Sequence, residues 1–272
     1  MHSLRRRRKP SLRTVRRKPP LQTVRIVGLN GSPRRDGNTA TLMHWVLEGC
    51  SGARAEVEWI HLAEYHVGYC QGCFTCLQTG TCPLEDDFQA VRDRLLAADG
   101  IVVGSPVYGG QATAQLKTFL DRLTLLNLYT HTFERQWSVG VATSGVAPTR
   151  GLARGLAMLL GRPSGIVGAK TASVARGYRP LVEAHSPRLP TRARAVGRRL
   201  VANIECPRRL RAPSLGQLWH RILMRLVIRP LVTGHPDQFA GVLRIWEEKG
   251  WFGAGGSAEA RGWSGCPERQ VP

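Results

Sequence analysis

Val24-Arg25-Ile26-Val27-Gly28-Leu29 is a short apolar, β-branched run that leads directly into Asn30-Gly31-Ser32-Pro33-Arg34-Arg35-Asp36-Gly37-Asn38-Thr39. The first part reads as a strand. The second reads as a loop that opens a helix, because residues 39–49 carry Leu42, Trp45 and Val46 at helical spacing before Gly49 and Gly52 stop the pattern. A strand–loop–helix joint gathers unpaired backbone N–H groups and the positive end of the helix dipole at one spot, which suits a phosphate. Ser32, Asn38 and Thr39 add hydroxyl and amide donors, and Arg34 or Arg35 adds a charge-assisted contact. Gly31 and Gly37 permit close backbone approach. The loop lacks both the Gly-Lys-Ser/Thr ending of a triphosphate loop and the G-x-G-x-x-G of a dinucleotide site, so a monophosphate fits better. The competing reading is an ordinary βα turn with an Asn-Thr helix cap.

Outward from this joint, strands alternate with helices. Further strands are expected at 57–62, 100–105, 137–143 and 165–174, and helices from Phe88, over 112–128, over 151–160 and over 191–203. Asp86 and Asp87 are suited to cap the helix whose apolar face is Phe88, Val91, Leu95 and Leu96. Five such units predict an open α/β sheet of parallel strands with helices on both faces. In such sheets ligands bind beyond the strand C-termini at the switch point. The loops at 30–39, 105–111 and 143–150 all leave strand C-termini.

Cys70, Cys73, Cys76 and Cys82 fall within thirteen residues as C-x2-C-x2-C-x5-C, while Cys50, Cys206 and Cys266 are scattered. An odd, clustered count is not a disulfide framework. Two-residue gaps let successive thiolates turn inward, Gly72 eases that turn and Gly80 loosens the reach to Cys82, so the run can surround one inorganic centre. Tetrahedral zinc, cluster-free thiols and buried structural cysteines are the alternatives. His61 and His66 have no metal-ligand spacing and read as structural or solvated. Lys117, Asp121 and Arg122 read as helix and interface charges.

The phosphate-type loop, then Ser105-Pro106-Val107-Tyr108-Gly109, then Leu116-Lys117-Thr118-Phe119-Leu120-Asp121-Arg122 together resemble the NADPH-dependent FMN reductase family of flavodoxin-like proteins. The cysteine run resembles that of the iron-sulfur flavoproteins within it. The resemblance implies a five-stranded flavodoxin-like sheet with non-covalent FMN. Ser32, Arg34, Gly37, Asn38 and Thr39 would hold the phosphate. Pro106, Val107, Tyr108 and Gly109 would flank the flavin ring, and Ser144 and Gly145 would close its other side. Cys70, Cys73, Cys76 and Cys82 would carry a 4Fe-4S cluster, with NAD(P)H or a ferredoxin-like protein as electron donor. No side-chain acid or base is implied, because the flavin carries the chemistry. Relatives are homo-oligomers, so a homodimer is expected, with a redox partner protein or small-molecule acceptor.

The expected organisation is a basic tail at 1–22, the FMN-binding domain at 23–206, a helical extension at 207–252 and a flexible tail at 253–272. The formal net charge is +20, and nine of the positive charges lie in the first twenty residues. That segment is too polar to offset its ordering entropy and reads as a solvated arm. Nucleic acid or an acidic membrane surface is its alternative partner. No apolar segment follows it, so a cytoplasmic protein is expected. In the extension, Leu215, Leu218, Trp219, Ile222, Leu223, Leu226 and Val227 form one helical stripe, suited to packing on its own domain or a dimer mate.

Overall fold

Ile26 and Val27 are neighbours on one strand, point to opposite faces, and are both buried. The sheet they belong to is therefore covered on both sides. In the computed structural model, residues 23–173, 177–181, 187–206 and 222–251 are described. The basic tail at 1–22, the segment 207–221 with Leu215, Leu218 and Trp219, and residues 252–272 lie outside them.

The order is β1 (Arg25–Asn30), α1 (Asn38–Ser51), β2 (Glu56–His61), α2 (Thr75–Thr79), α3 (Phe88–Leu96), β3 (Gly100–Pro106), α4 (Ala114–Thr130), β4 (Trp137–Ser144), α5 (Arg150–Leu159) and β5 (Arg162–Lys170). A small antiparallel pair, β6 (Ala172–Ser173) and β7 (Gly177–Tyr178), precedes α6 (Arg188–Glu205). The five long strands pair in the order β2-β1-β3-β4-β5, all parallel. This is the flavodoxin-like order, with its switch point between β1 and β3.

Two apolar layers follow from strand alternation. On one face Ile26, Val102, Val141 and Val167 meet Leu42, Met43 and Val46 of α1 and Leu200 of α6. On the other, Val27, Leu29, Ile101 and Val103 meet α3, α4 and α5 through Phe88, Leu95, Leu116, Phe119 and Leu156. Central β3 is buried almost throughout, and edge strand β5 alternates.

The C-terminal extension is helical. A π-helical turn at Met224–Ile228 runs into α7 (Arg229–Gly234), and α8 (Ala240–Glu248) follows. Ile228, Val232, Phe239, Val242 and Trp246 form a third apolar cluster with Leu77 of α2 and Leu126 of α4. The extension thus packs on the helix that holds Cys76. Of the predicted stripe, Ile222, Leu223, Leu226 and Val227 are exposed. Among the described residues, no helix is long and apolar enough to cross a membrane.

One expectation is overturned in α1. Gly49 does not stop the helix, which continues to Ser51. Its missing side chain instead lets α6 cross at close range. A Cβ at Gly49 would sit 2.1 Å from the Arg194 carbonyl oxygen, and one at Gly197 would sit 1.9 Å from that of Val46. Backbone carbonyls cannot yield as a flexible side chain can. Gly197→Ala is therefore expected to destabilise the fold by about 1–3 kcal/mol through overpacking, whereas exposed Gly151→Ala, with nothing within 4 Å, should not. Denaturant unfolding of the two variants checks this contrast.

Candidate functional site

The loop after β1 is built by side chains at the strand ends. The Gly31 N–H continues the β1–β3 ladder by donating to the Gly104 carbonyl at 2.8 Å. Asn30 is fully buried, and its Oδ1 accepts the Ser32 N–H at 3.0 Å while its Nδ2 lies 3.0 Å from His61 Nδ1. Because the Ser32 N–H fixes the amide orientation, Nδ2 donates to a neutral imidazole. Burial lowers the His61 pKa from 6.5, with Arg35 adding to the effect and Asp36 opposing it. His61 is thus structural, and it links the end of β2 to the loop.

Ser32 Oγ accepts the Arg34 N–H at 3.1 Å, which tightens the turn. α1 then starts at Asn38 with Gly37 as its N-cap and no side-chain cap. The first ladder bond in α1 runs from the Thr41 N–H to the Gly37 carbonyl, so the N–H groups before it are directed into the loop. The Thr39 hydroxyl is buried, 2.6 Å from that of Thr143 at the end of β4.

Two residues differ from the sequence reading. The Asn38 side chain does not face the loop. Its Nδ2 donates to the Arg179 carbonyl at 3.2 Å and its Oδ1 accepts the Leu181 N–H at 2.8 Å, so it tethers the segment before α6. Gly31 is needed for packing, because a Cβ there would lie 2.6 Å from the Leu116 side chain. Of the two arginines, Arg35 pairs with Glu64, and Arg34 is exposed without an ion-pair partner among the described residues.

The loop after β3 is held open by backbone pairing. Tyr108 and Gln111 exchange hydrogen bonds of 3.0 and 2.9 Å around Gly109 and Gly110, which have φ of +55° and +82°. The Val107 N–H donates to the Thr143 carbonyl at 2.7 Å, joining this loop to β4. Pro106 and Val107 are half-buried, and Tyr108 is 54% exposed. Ser144 is buried and Gly145 half-buried, and their carbonyls accept from the Thr171 and Ala172 N–H groups at 2.7 and 3.1 Å. The three predicted loops therefore lie side by side at the C-terminal edge of the sheet.

The cysteine loop leaves β2 at the same edge. Gly72 and Gly80 have φ of +63° and +80°, as a tight path requires, and Phe74 takes φ +60° just before α2. Cys70 and Cys73 are exposed, Cys76 and Cys82 half-buried. All four line one open depression, with Arg122 in its wall. Burial raises the Cys76 thiol, and the nearby sulfurs of Cys82, Cys70 and Cys73 raise it further. A hydrogen bond from Thr75 lowers the Cys73 thiol. Among the described residues, no three His, Cys, Asp or Glu side chains converge as ligands of one metal ion. Four thiols around a common depression, with a guanidinium at its wall, fit a multi-iron cluster, whose ligands sit on separate irons. Cys50 lies elsewhere, buried between α1 and α6, with its thiol pushed up to about 12 by burial.

Arg122 is the residue the sequence reading misplaced. Lys117 and Asp121 form an exposed i,i+4 pair on α4. Arg122 is instead buried, and its Nη1 donates to Asp86 Oδ2 at 2.5 Å and to the Gly68 carbonyl at 3.3 Å. Its Nη2 lies 3.3 Å from Cys82 Sγ, and its guanidinium rests 4.2 Å from the Phe88 ring centroid. The i,i+5 step from Lys117 to Arg122 places them on different helix faces, a signal available in the sequence. Asp86 Oδ2 also accepts the Gly68 N–H at 2.7 Å and Oδ1 the Phe88 N–H at 3.1 Å. Burial alone would raise the Asp86 carboxyl, but these donors and the Arg122 charge hold it below 3.8. Asp87 accepts the His66 N–H at 2.7 Å rather than capping α3. Both acids thus fasten the cysteine loop to the domain.

His61→Leu would leave the Asn30 amide unpaired and is expected to cost about 1–3 kcal/mol at neutral pH. The folded state holds His61 neutral, so the unfolded chain binds more protons as pH falls below 6.5. Wild-type stability should therefore decline from pH 6.5 downward, and the variant should lack that component. Denaturant unfolding across pH 5–8 tests both.

The profile of the NADPH-dependent FMN reductase family matches residues 24–175. An iron-sulfur flavoprotein of Methanocaldococcus jannaschii is 40% identical over 36% of this chain and 51% of its own length. The chain thus spans about half of that relative. A second iron-sulfur flavoprotein, from Clostridioides difficile, is 24% identical over 83% of this chain and 98% of its own. Among solved structures, RosB with a bound intermediate superposes with a TM-score of 0.52 at 13% identity, covering 92% of this chain and 98% of that one, a likeness of fold. With the family profile spanning more than half of its length and its sheet in flavodoxin-like order, the chain belongs to the NADPH-dependent FMN reductase family.

Proposed function

We propose that this protein is an FMN-dependent oxidoreductase that takes electrons from NAD(P)H or a ferredoxin-like donor. It passes them to a quinone, nitro compound, oxidant or second carrier. The observation that carries this reading is the meeting, on one sheet edge, of a phosphate-type loop, two ring-flanking loops and a pocket lined by four thiols.

In this reading the Ser32 and Thr39 hydroxyls and the first-turn N–H groups of α1 hold the FMN phosphate, with Arg34 adding charge. Gly37 leaves the helix start uncovered. Asn38 contributes its backbone N–H, since its side chain is engaged by Arg179 and Leu181. Pro106, Val107 and Gly109 supply a fixed backbone wall for the ring, Tyr108 an exposed aromatic face, and Ser144 and Gly145 the opposite side. Cys70, Cys73, Cys76 and Cys82 hold a 4Fe-4S cluster. When bound, the flavin supplies hydride chemistry and the cluster single-electron transfer. The protein works as a homo-oligomer in the cytoplasm.

A cluster-free NAD(P)H quinone or flavin reductase is the second reading. It is favoured by the exposure of Cys70 and Cys73 and by the lowered Cys73 thiol, which suit thiol chemistry. Visible absorbance with iron and sulfide content after anaerobic reconstitution separates the two. About four irons per chain supports the cluster. Full FMN loading with iron far below that supports the second reading. Absence of NAD(P)H turnover with every acceptor, despite full FMN loading, would favour a non-enzymatic carrier or redox sensor. Arg34→Ala is expected to weaken FMN binding about 10-fold, or about 1.4 kcal/mol, read by flavin fluorescence titration.

A further inference from the structure

We propose that Arg122 is a positioning residue for the cysteine pocket: it anchors the Cys82 sulfur and sets the one-electron potential of the centre the pocket carries. The inference rests on the cluster reading above. The Arg122 side chain is 1% exposed and its partner Asp86 6%. Its guanidinium is held on three sides, by Asp86 and the Gly68 carbonyl through one nitrogen, and by the Phe88 ring across its face. That bracing leaves Nη2 aimed at Cys82 Sγ, and Arg122 lines the depression shared by all four cysteines.

Bracing the cysteine loop requires only Asp86 and Gly68. The contact with sulfur needs a separate reason. A neutral thiol is a weak acceptor, whereas a thiolate ligand accepts a charge-assisted hydrogen bond. The geometry is therefore worth most when Cys82 is ligated. Asp86 offsets the guanidinium charge, so Arg122 presents to the sulfur mainly a directed N–H. Hydrogen bonds to ligand sulfurs raise the reduction potential, because they stabilise the added negative charge. Cys82 is also the cysteine across the longest gap of the run, where the loop alone constrains position least. Groups that orient ligands in this way change metal affinity about 10- to 100-fold.

The test compares wild type with R122K and with the double variant D86N/R122M, each as reconstituted full-length holoprotein. The double variant removes both buried charges together, since breaking one partner alone is costly. The amide introduced by D86N keeps one oxygen, an acceptor for one of the two backbone N–H groups that Asp86 receives on separate oxygens. R122K keeps a charge, but one ammonium does not reproduce the fork to both Asp86 and sulfur. FMN content and thermal melting establish that each variant is folded. The readouts are iron release to a chelator and midpoint potential by dye-mediated titration, with dithionite donating one electron per cluster and no bond broken.

The expected result is iron release about 10- to 100-fold faster in both variants, with a more negative midpoint potential. Wild-type release rates and potentials in both variants, with only melting altered, would overturn the proposal and leave Arg122 a loop brace. A shift to more positive potential would overturn it as well. If wild type itself takes up no iron and sulfide while retaining FMN, the cluster reading is the part that fails. Should the double variant not retain FMN, R122K decides by the same two readouts.

Discussion

Parallel pairing of β1 with both β2 and β3 is the constraint from which the rest of this molecule follows. Chain direction is shared by all five strands, so every crossover must return over a face and every strand must end at the same edge. At the switch point between β1 and β3 the loops diverge to opposite faces and leave a crevice. The Gly31–Gly104 hydrogen bond carries the ladder one step past β1 and holds the two walls of that crevice together. Polar side chains buried at the strand ends complete the frame. Asn30 and His61 brace one wall, and Thr39 and Thr143 join α1 to β4.

A buried ion pair fastens the second half of the site to this frame. Asp86 and Arg122 come from the bend just before α3 and from the middle of α4, and the loop carrying the cysteines is held between them. Removing two charges from water costs several kcal/mol, and attraction offsets this only when the remaining donors and acceptors are engaged. Here Asp86 accepts from Arg122, Gly68 and Phe88, so the carboxylate is well satisfied. The C-terminal extension adds a second clamp. A Cβ at Gly241 would lie 2.2 Å from the Gly80 nitrogen, so α8 sits directly on the end of α2. The cysteine loop is thus fixed by contacts far from it in sequence, and a multi-thiol pocket forms on a segment whose only regular structure is one short helix.

The strands, their order along the chain and the three loops at their C-termini were legible because each depends on local pattern. Ile26-Val27, Ile101-Val102-Val103 and Val139-Val141 are runs that only burial on both faces accommodates. Positions whose role depends on a distant partner were not legible. Gly49 read as a helix stop because glycine weakens helices in general, but it is the crossing point with Arg194. Asn38 read as a phosphate donor because it opens a helix, but its side chain ties down Leu181. Arg122 read as a helix and interface charge, and arginine is rarely buried. Its burial requires Asp86, thirty-six residues earlier, and nothing local announces that pairing.

By itself, then, the sequence determined the alternation of strands and helices, the phosphate-type loop and the clustering of four cysteines, because periodicity, glycine placement and residue spacing act over a few residues. The tertiary structure decided which donors in that loop remain available, that the four thiols share one depression, and that a guanidinium reaches one of them. Those outcomes are set by packing between elements that meet only after the sheet closes: Asn38 with the segment before α6, α8 on α2, and Arg122 beneath the cysteine loop. A buried charge holds its position only when every partner arrives together, and that is a property of the folded core.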